Sequence, residues 1–268
     1  MQGGKMIVCK ICGRCFDNPT GISAHYRQSH PNDSRVSKIV GYRRDVLVGT
    51  LLGDSSITMK RNKCRVRFNH SIRQEEYCKF KSDVLGDLVI SPNYTYIDSR
   101  GFSSICCYTT YTRELNDIHD LFILDGKKSI SCKVIDELND VSLAFWYMDD
   151  GCLKTRIRKN SKTGVVDRFP SYIKITTPKL EDEVLEKIKC VFKDRFDISV
   201  RIENQVSCVT GDVCANIIAI HGKENMKKFK KLIFKHVIPS MLYKLPSEEW
   251  LNNRGGKPAR SGPTPWEE

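Results

Sequence analysis

The sequence lacks the features that mark several large classes of protein. No apolar run approaches the roughly 20 residues that a membrane-spanning helix requires. Residues Met1–Met6 contain no apolar core of the kind found in a secretory signal peptide. No Walker loop, dinucleotide fingerprint or Ser/His/Asp pattern is visible, so those classes of catalysis find no support. We therefore expect an intracellular protein that is not secreted and has no membrane partner, with its host and compartment left open.

Acidic residues are outnumbered in this chain. Its 268 residues include 44 Lys and Arg against 32 Asp and Glu, a formal net charge of +12. An excess of this size favours a polyanionic partner, nucleic acid before an anionic membrane. Because the chain is long and has no secretion signal, its 12 cysteines are expected to be mostly reduced thiols. Five of them lie in apolar stretches and are predicted to fill the core: Cys106, Cys107, Cys190, Cys208 and Cys214.

Residues 8–30 have the spacing of a tetrahedral zinc site, C-x2-C-x12-H-x4-H. The predicted Zn2+ ligands are Cys9, Cys12, His25 and His30. Phe16 and Ile22 fall where a ββα finger needs its small apolar core, and the segment resembles the C2H2 zinc-finger family. Cys15 is a competing thiol in the same turn, although its spacing to Phe16 argues against a ligand role. We predict a zinc-dependent finger over residues 1–31 that binds either DNA or protein.

Two apolar runs of similar length end in acidic residues: Leu47–Ser55, which contains Asp54, and Leu143–Gly151, which contains Asp150. Their small residues favour helices that another helix can approach closely. A carboxylate at the end of a buried apolar helix is costly unless it is paired or binds a cation. Two such helices packed side by side would bring Asp54 and Asp150 together, an arrangement that suits metal ions. Two unrelated core helices with acidic C-terminal residues are the alternative.

The segments that follow the two runs repeat the same order. After the first run, alternation predicts a strand at 65–70, a helix at 72–86, strands near 94–98 and 102–112 and a helix at 113–123. After the second run, the patterns predict strands at 154–159, 169–177 and 198–209, helices at 179–196 and 212–221, and a basic apolar stretch at 224–238. This duplication predicts an α+β fold of two pseudo-symmetric αββαββα halves with packed motif helices. Each half would contribute an antiparallel sheet to a basic saddle that binds DNA.

The predicted boundaries follow from this repeat. A basic linker at 32–44 joins the finger to a first half at 45–139; a second half occupies 140–246, and a polar tail at 247–268 is expected to be disordered. The linker either lies along the DNA backbone or is a plain solvated tether. Basic and amide side chains on the predicted strands are the expected DNA contacts: Lys60, Arg61, Lys63, Arg65, Arg67, Asn69, Lys154, Arg156, Arg158 and Lys174.

Both apolar runs resemble the helix motif of LAGLIDADG homing endonucleases, with Asp54 and Asp150 at the position of the metal-binding acid. Two further stretches, 121–128 and 238–246, resemble the single-chain, two-motif omega-intron type in the same order. The resemblance implies a monomeric, site-specific endonuclease that cuts both strands of a long DNA target and leaves short 3′ overhangs. It also implies that Asp54 and Asp150 bind Mg2+ or Mn2+, that Lys128 and Lys244 stand beside the two sites, and that each half cuts one strand.

Oxygen ligands suit Mg2+, so the backbone carbonyls of Gly53 and Asp149 are expected to complete its coordination, with the Asp149 side chain in a supporting role. The two lysines would stabilise the charged transition state, although Lys127 is an alternative to its neighbour Lys128. Other functions stay open: an RNA maturase that aids intron splicing without cutting, or a DNA-binding regulator on the same fold. An intein-embedded domain is a further alternative, for which no splicing junction residues are visible.

Overall fold

The structure is a computed structural model that describes residues 7–9, 12–16, 25, 29–30, 39–89, 93–97, 99, 101–159 and 166–252. Contacts along the chain divide it into two compact units, Met1–Ser129 (unit 1) and Ile130–Glu268 (unit 2). This division falls before the boundary predicted between residues 139 and 140, and the predicted domain limits themselves stay a prediction. Each unit combines helices with an antiparallel sheet, which confirms the predicted α+β class.

Unit 1 has a four-stranded antiparallel sheet in the order β3-β4-β6-β5. Its elements are β1 (Ile7–Val8), β2 (Cys15–Phe16), α1 (Tyr42–Leu52), β3 (Ser56–Lys60), β4 (Lys63–Ser71), α2 (Glu75–Leu85), β5 (Tyr94–Ile97), β6 (Ser103–Tyr108), α3 (Asn116–Phe122), β7 (Ile123–Leu124) and β8 (Lys127–Lys128). Single 3-10 turns occupy Ile72–Gln74, Gly86–Leu88 and Arg113–Leu115. The order from α1 to α3 is the predicted αββαββα arrangement.

Strand β4 shows how the alternating sequence positions this sheet. Its residues alternate strictly between a buried face and a half-buried face, as a period of two requires when one face lies on the core. The buried face contains Val66, Phe68 and His70, and the other face contains Arg65 and Arg67. Burying an apolar side chain of this size contributes about 1.5–3 kcal/mol, so a shift of register by one residue would be strongly disfavoured.

Unit 2 repeats the topology with a sheet in the order β9-β10-β12-β11. Its elements are α4 (Cys132–Asp136), α5 (Asp140–Asp150), β9 (Gly151–Lys159), β10 (Val166–Pro178), α6 (Asp182–Phe196), β11 (Arg201–Val206), β12 (Val213–His221), α7 (Lys223–Ile233) and α8 (Glu248–Asn252), with 3-10 turns at Phe234–His236 and Pro239–Lys244. Helix α5 begins with a capping box between Asn139 and Ser142, an arrangement that satisfies two backbone donors at the helix start. From Val141 to Met148 every residue of α5 is buried.

The helix predicted at 212–221 is wrong, because these residues form strand β12. The segment contains β-branched Val213, Ile217, Ile218 and Ile220, which favour a strand over a helix. Strand β12 also pairs with β10 on one side and β11 on the other. Along β12 the face with Asn216, Ile218 and Ile220 is buried, and the other face is mostly half-buried but also carries apolar residues, so the alternation typical of a strand is weak in the sequence.

Three smaller predictions also differ from the structure. Residues 42–44 of the predicted linker are the first turn of α1, where Arg43 and Arg44 form ion pairs with Asp87 and Asp117. Residues 248–252 of the predicted tail form α8 with Leu251 buried, while residues 253–268 lie outside the described part. Cys106 and Cys107 are buried as predicted, but three predicted core cysteines are exposed: Cys190, Cys208 and Cys214. No cysteine among the described residues takes part in a disulfide bond.

Within the described residues, no helix is both long enough and apolar enough to cross a bilayer.

Candidate active sites and metal centre

The candidate site of unit 1 lies where α1 ends. Gly53 caps the helix, and Asp54 follows with 45% of its side chain exposed. The Lys128 ammonium donates to the carbonyl oxygens of Gly53 and Ser55, both at 2.8 Å. Lys128 is placed there by a β7–β8 hairpin whose two turn residues, Asp125 and Gly126, have φ values of 51° and 74°. An Asp-Gly pair is favoured where a two-residue hairpin needs positive φ twice.

The candidate site of unit 2 lies where α5 ends. Asp149 and Asp150 are its last two residues, and both are half-buried. The ammonium of Lys244, a residue only 7% exposed, donates to the carbonyl oxygens of Met148 at 2.5 Å and Asp149 at 3.2 Å. The buried Tyr147 hydroxyl donates to the Lys244 carbonyl, which anchors the lysine's own backbone. Burial raises the pKa of Tyr147, so this hydroxyl keeps its proton.

The two units therefore share one arrangement. In each, the carbonyl of the residue before the motif acid accepts a hydrogen bond from a lysine that is distant in sequence. The positive charge also suits the negative end of the helix dipole. Lys128 and its neighbour Lys127, the alternative, are both exposed, and it is Lys128 that makes these bonds in unit 1. Asp54, Asp150, Lys128 and Lys244 are the site residues predicted in the sequence analysis. Within each unit, the structure brings the acid and the lysine to the same helix end.

The residues predicted to contact DNA occupy two kinds of position. At the β3–β4 turn, Lys60, Arg61 and Lys63 are exposed, and on β4 Arg65, Arg67 and Asn69 are half-buried on the face opposite the core. In unit 2, Lys154 and Arg156 are exposed on β9 and Lys174 is half-buried on β10. The Arg158 side chain lies outside the described part. Two basic sheet faces result, one in each unit.

The described residues of the N-terminal segment bring together the four predicted zinc ligands. One ligand atom from each of Cys9, Cys12, His25 and His30 lies within 4.8 Å of all the others. Zinc bonds of about 2.0–2.3 Å place the ligand atoms of a tetrahedral site about 3.3–3.8 Å apart. The four ligand atoms would therefore need to move slightly closer together to coordinate one zinc ion. Burial, followed by the nearby charges of His30 and Arg14, lowers the pKa of His25 and keeps its ring neutral, as a ligand must be.

The finger's other predicted features are only partly described. Strands β1 and β2 pair as a hairpin, and the Phe16 ring lies 4.9 Å from that of His25. Cys15 is exposed and does not belong to the four-residue cluster. Ile22 and most of the predicted helix lie outside the described residues.

Comparison with known proteins identifies the family. The model of the LAGLIDADG DNA endonuclease family matches residues 44–229 of this chain, a span that contains both motif helices, both sheets and both acids. The chain belongs to the LAGLIDADG DNA endonuclease family.

The chain has relatives among solved structures and curated proteins. The structure titled "The homing endonuclease I-WcaI bound to its DNA recognition sequence" is 21% identical, covers 84% of this chain and 97% of its own, and has a TM-score of 0.65. Curated relatives include proteins named "Protein RecA" from Mycolicibacterium flavescens, 25% identical over 207 residues, and Mycolicibacterium fallax, 26% identical over 209 residues. Each match covers 75% of this chain and 45% of the relative, so the chain spans less than half of their length.

Two residues next to the candidate site of unit 1 were missed by sequence reasoning. His70 is 3% exposed, and its Nδ1 lies 3.8 Å from a carboxylate oxygen of Asp54. On its other side, Nε2 lies 3.0 Å from the ammonium of Lys81, which is fully buried. The signal was present: Lys81 stands one helical turn from Tyr77 and one from Leu85, so it occupies a core position of α2.

Proposed function

We propose that this chain is a site-specific DNA endonuclease that hydrolyses both strands of a long duplex target, one strand at each unit, and leaves short 3′ overhangs. One observation carries the proposal: both motif helices end at an acid whose preceding carbonyl is bonded to a lysine ammonium. A merely structural duplication has no need to place an acid and a lysine ammonium together at two helix ends, with Lys244 buried and Lys128 exposed. Membership of an endonuclease family and the DNA-bound relative support the same conclusion.

The oxygen ligands available at each helix end suit a hard divalent cation, Mg2+ or Mn2+. Asp54 and Asp150 offer carboxylate oxygens, and Gly53 and Asp149 offer carbonyl oxygens that keep a second lone pair after accepting from the lysine. When bound, such an ion supplies charge neutralisation at the phosphate and activates water for attack. Lys128 and Lys244 add positive charge that is already oriented by two carbonyls each, so little reorganisation is needed as the phosphate gains negative charge.

The N-terminal segment is proposed to bind Zn2+ through Cys9, Cys12, His25 and His30. A finger with so few apolar residues depends on the metal for its fold. Bound zinc would hold the hairpin against its helix, and the finger would extend the contact with DNA beyond the two sheets, where one finger covers about 3 base pairs. The whole chain is proposed to act as a monomer.

The test is cleavage of a randomised duplex library by the purified full chain in Mg2+, with each strand labelled separately. Asp54→Asn and Asp150→Asn are each expected to cut one strand and spare the other, and the spared strand should differ between them. Lys128→Met and Lys244→Met should slow the same strands by about 10²–10³-fold, the loss typical of one stabilising donor. Asn252→Asp, a change of the same size outside both sites, is the control.

Tight binding by the unsubstituted chain without cutting in Mg2+ or Mn2+ would contradict the proposal and favour a regulator. Selective binding of structured RNA with accelerated intron splicing would favour a maturase.

A further inference from the structure

The face of the unit 1 sheet that is proposed to bind DNA carries a network of tyrosines, which the described residues of unit 2 do not repeat. Tyr96 stands at its centre: its hydroxyl accepts from Arg67 Nη2 at 3.2 Å and donates to Asn69 Oδ1 at 3.1 Å. One hydroxyl therefore bridges two residues that lie on alternate positions of the same face of β4. Such a bridge fixes the two side chains relative to each other as well as to the sheet.

Further contacts hold Arg67 in place. Its Nε donates to the buried Cys106 thiol at 3.2 Å, and its guanidinium carbon lies 5.8 Å from the centre of the Tyr108 ring. Nearby, Arg65 lies 4.4 Å from the centre of the same ring, which stacks on Tyr94. The network thus consists of two guanidinium groups supported by aromatic rings, an arrangement that restricts their rotation.

The hydrogen bonds that Arg67 makes leave some of its N–H groups available. A guanidinium has five N–H groups; one on Nε and one on Nη2 are used, so among contacts between described residues three remain, two on Nη1 and one on Nη2. A pair from Nη1 and Nη2 matches the two acceptors at the major-groove edge of guanine. Tyr96 also fixes which end of the Asn69 amide is oxygen, leaving its Nδ2 hydrogens and one Oδ1 lone pair for the edge of adenine.

In the described part of the unit 2 sheet, the ring contact does not involve the basic side chains of the strands: Tyr172 stacks on His221, whose ring nitrogen Nε2 lies 3.2 Å from Glu203. Lys174 occupies the position on β10 that Arg67 has on β4, and it faces Ala219 where Arg67 faces Tyr108. The backbones of Lys154, Arg156 and Lys174 pair with neighbouring strands. Among the described residues of unit 2, no hydrogen bond, ion pair or ring contact restrains their side chains. A lysine is a flexible point charge, better suited to phosphate than to discrimination between base edges.

We propose that Tyr96 is a positioning residue for base recognition: it holds Arg67 against a guanine and Asn69 against a neighbouring adenine, so that unit 1 reads its half of the target more stringently than unit 2. Preorganised side chains lose less freedom on binding, and a misaligned bidentate contact loses discrimination between bases before it loses overall affinity. The inference rests on the proposed function, since it assumes that the sheet faces bind duplex DNA.

The test compares the full chain with Tyr96→Phe, which removes only the bridging hydroxyl. Tyr94→Phe is the matched control. The hydroxyl that this change removes donates a hydrogen bond to Tyr108 and makes no hydrogen bond to Arg67 or Asn69. Each protein is profiled on its preferred duplex from a randomised library and on all single base-pair substitutions of that duplex. For Tyr96→Phe we expect discrimination to fall about 10-fold at two neighbouring base pairs of one half-site, with cutting of the preferred duplex within about 3-fold of the unsubstituted chain. Thermal melting of both variants checks the fold.

An unchanged substitution profile for Tyr96→Phe would overturn this inference alone, as would a uniform loss across both half-sites or the same loss in Tyr94→Phe. If the unsubstituted chain selects no duplex at all, both this inference and the proposed function fail.

Discussion

The buried pair of Lys81 and His70 next to Asp54 leads to a prediction: the loss of stability depends on which partner is removed. Lys81 is fully buried, and its ammonium lies 3.0 Å from His70 Nε2 and 4.3 Å from the centre of the Tyr77 ring. Replacing His70 by Leu takes a hydrogen-bond acceptor from a buried charge. Removing one partner of a buried charge typically costs about 3–5 kcal/mol.

Replacing Lys81 by Met has a smaller expected cost. The imidazole Nε2 loses its partner, which costs about 1–3 kcal/mol. The loss is offset because the desolvated charge disappears and methionine has a similar length and an adaptable shape. The double variant has neither the charge nor the orphaned acceptor. We therefore expect His70→Leu to be the most destabilising of the three and the double variant to lie within about 1.5 kcal/mol of the unsubstituted chain, as a volume-conserving apolar swap does.

The measurement must report on unit 1. All three tryptophans, Trp146, Trp250 and Trp266, lie in unit 2, so tryptophan fluorescence would follow the wrong part of the chain. Native-state hydrogen exchange of the peptide covering β4 gives the opening free energy of the sheet that contains His70. Additive effects of the two single changes, or a smaller loss for His70→Leu than for Lys81→Met, would refute the reasoning and show that other groups carry the ammonium charge.

Three further predictions concern the zinc site, acid stability and the end of α5. Cys9→Ser, like a strong zinc chelator, should abolish zinc uptake measured by mass spectrometry while the circular dichroism of both units changes little. Burial alone would raise the pKa of Asp140, but hydrogen bonds from Lys235 and His236 outweigh it and lower the pKa to about 2. Its stabilisation of unit 2 should be complete above about pH 4, fall as the pH drops through 2, and be absent in Asp140→Asn, as acid titrations of tryptophan fluorescence would show. Gly151→Ala would place a Cβ 2.0 Å from the Tyr147 ring and should cost about 1–3 kcal/mol or more in urea unfolding.

The parts of the fold that the sequence predicts are those specified by neighbours in the chain. The runs before Asp54 and Asp150 are helical and buried, and the alternation from Arg65 to His70 is a strand with one face on the core. In each case a local period of hydrophobicity determines which face is buried. Strand β12 was mistaken for a helix because apolar residues lie on both of its faces, and its pairing with β10 and β11 cannot be seen in a short window of sequence.

The features of the site that the sequence could not predict depend on distances across the fold. Tyr96 meets Arg67 29 positions away in sequence, and Lys81 meets His70 11 positions away. Neither pairing has a spacing rule, because each depends on strand register and on the packing of α2. Lys128 and Lys244 were predicted as site residues only because the sequence segments around them resemble a known family. Nothing in the composition distinguishes them among 44 basic residues.

Some features of the candidate site are present in both units, and others are seen in one unit only. Both units keep an acid at the motif helix end and a lysine on the carbonyl before it. The position of His70 in unit 1 is taken by Thr177 in unit 2, where the hydroxyl donates to backbone carbonyls. Features kept in both copies are those that each strand of a cut duplex would require. Among the described residues, the His70–Lys81 pair and the Tyr96 bridge are seen in unit 1 alone, and on the proposed function such one-sided features would suit a DNA target whose two halves differ in sequence.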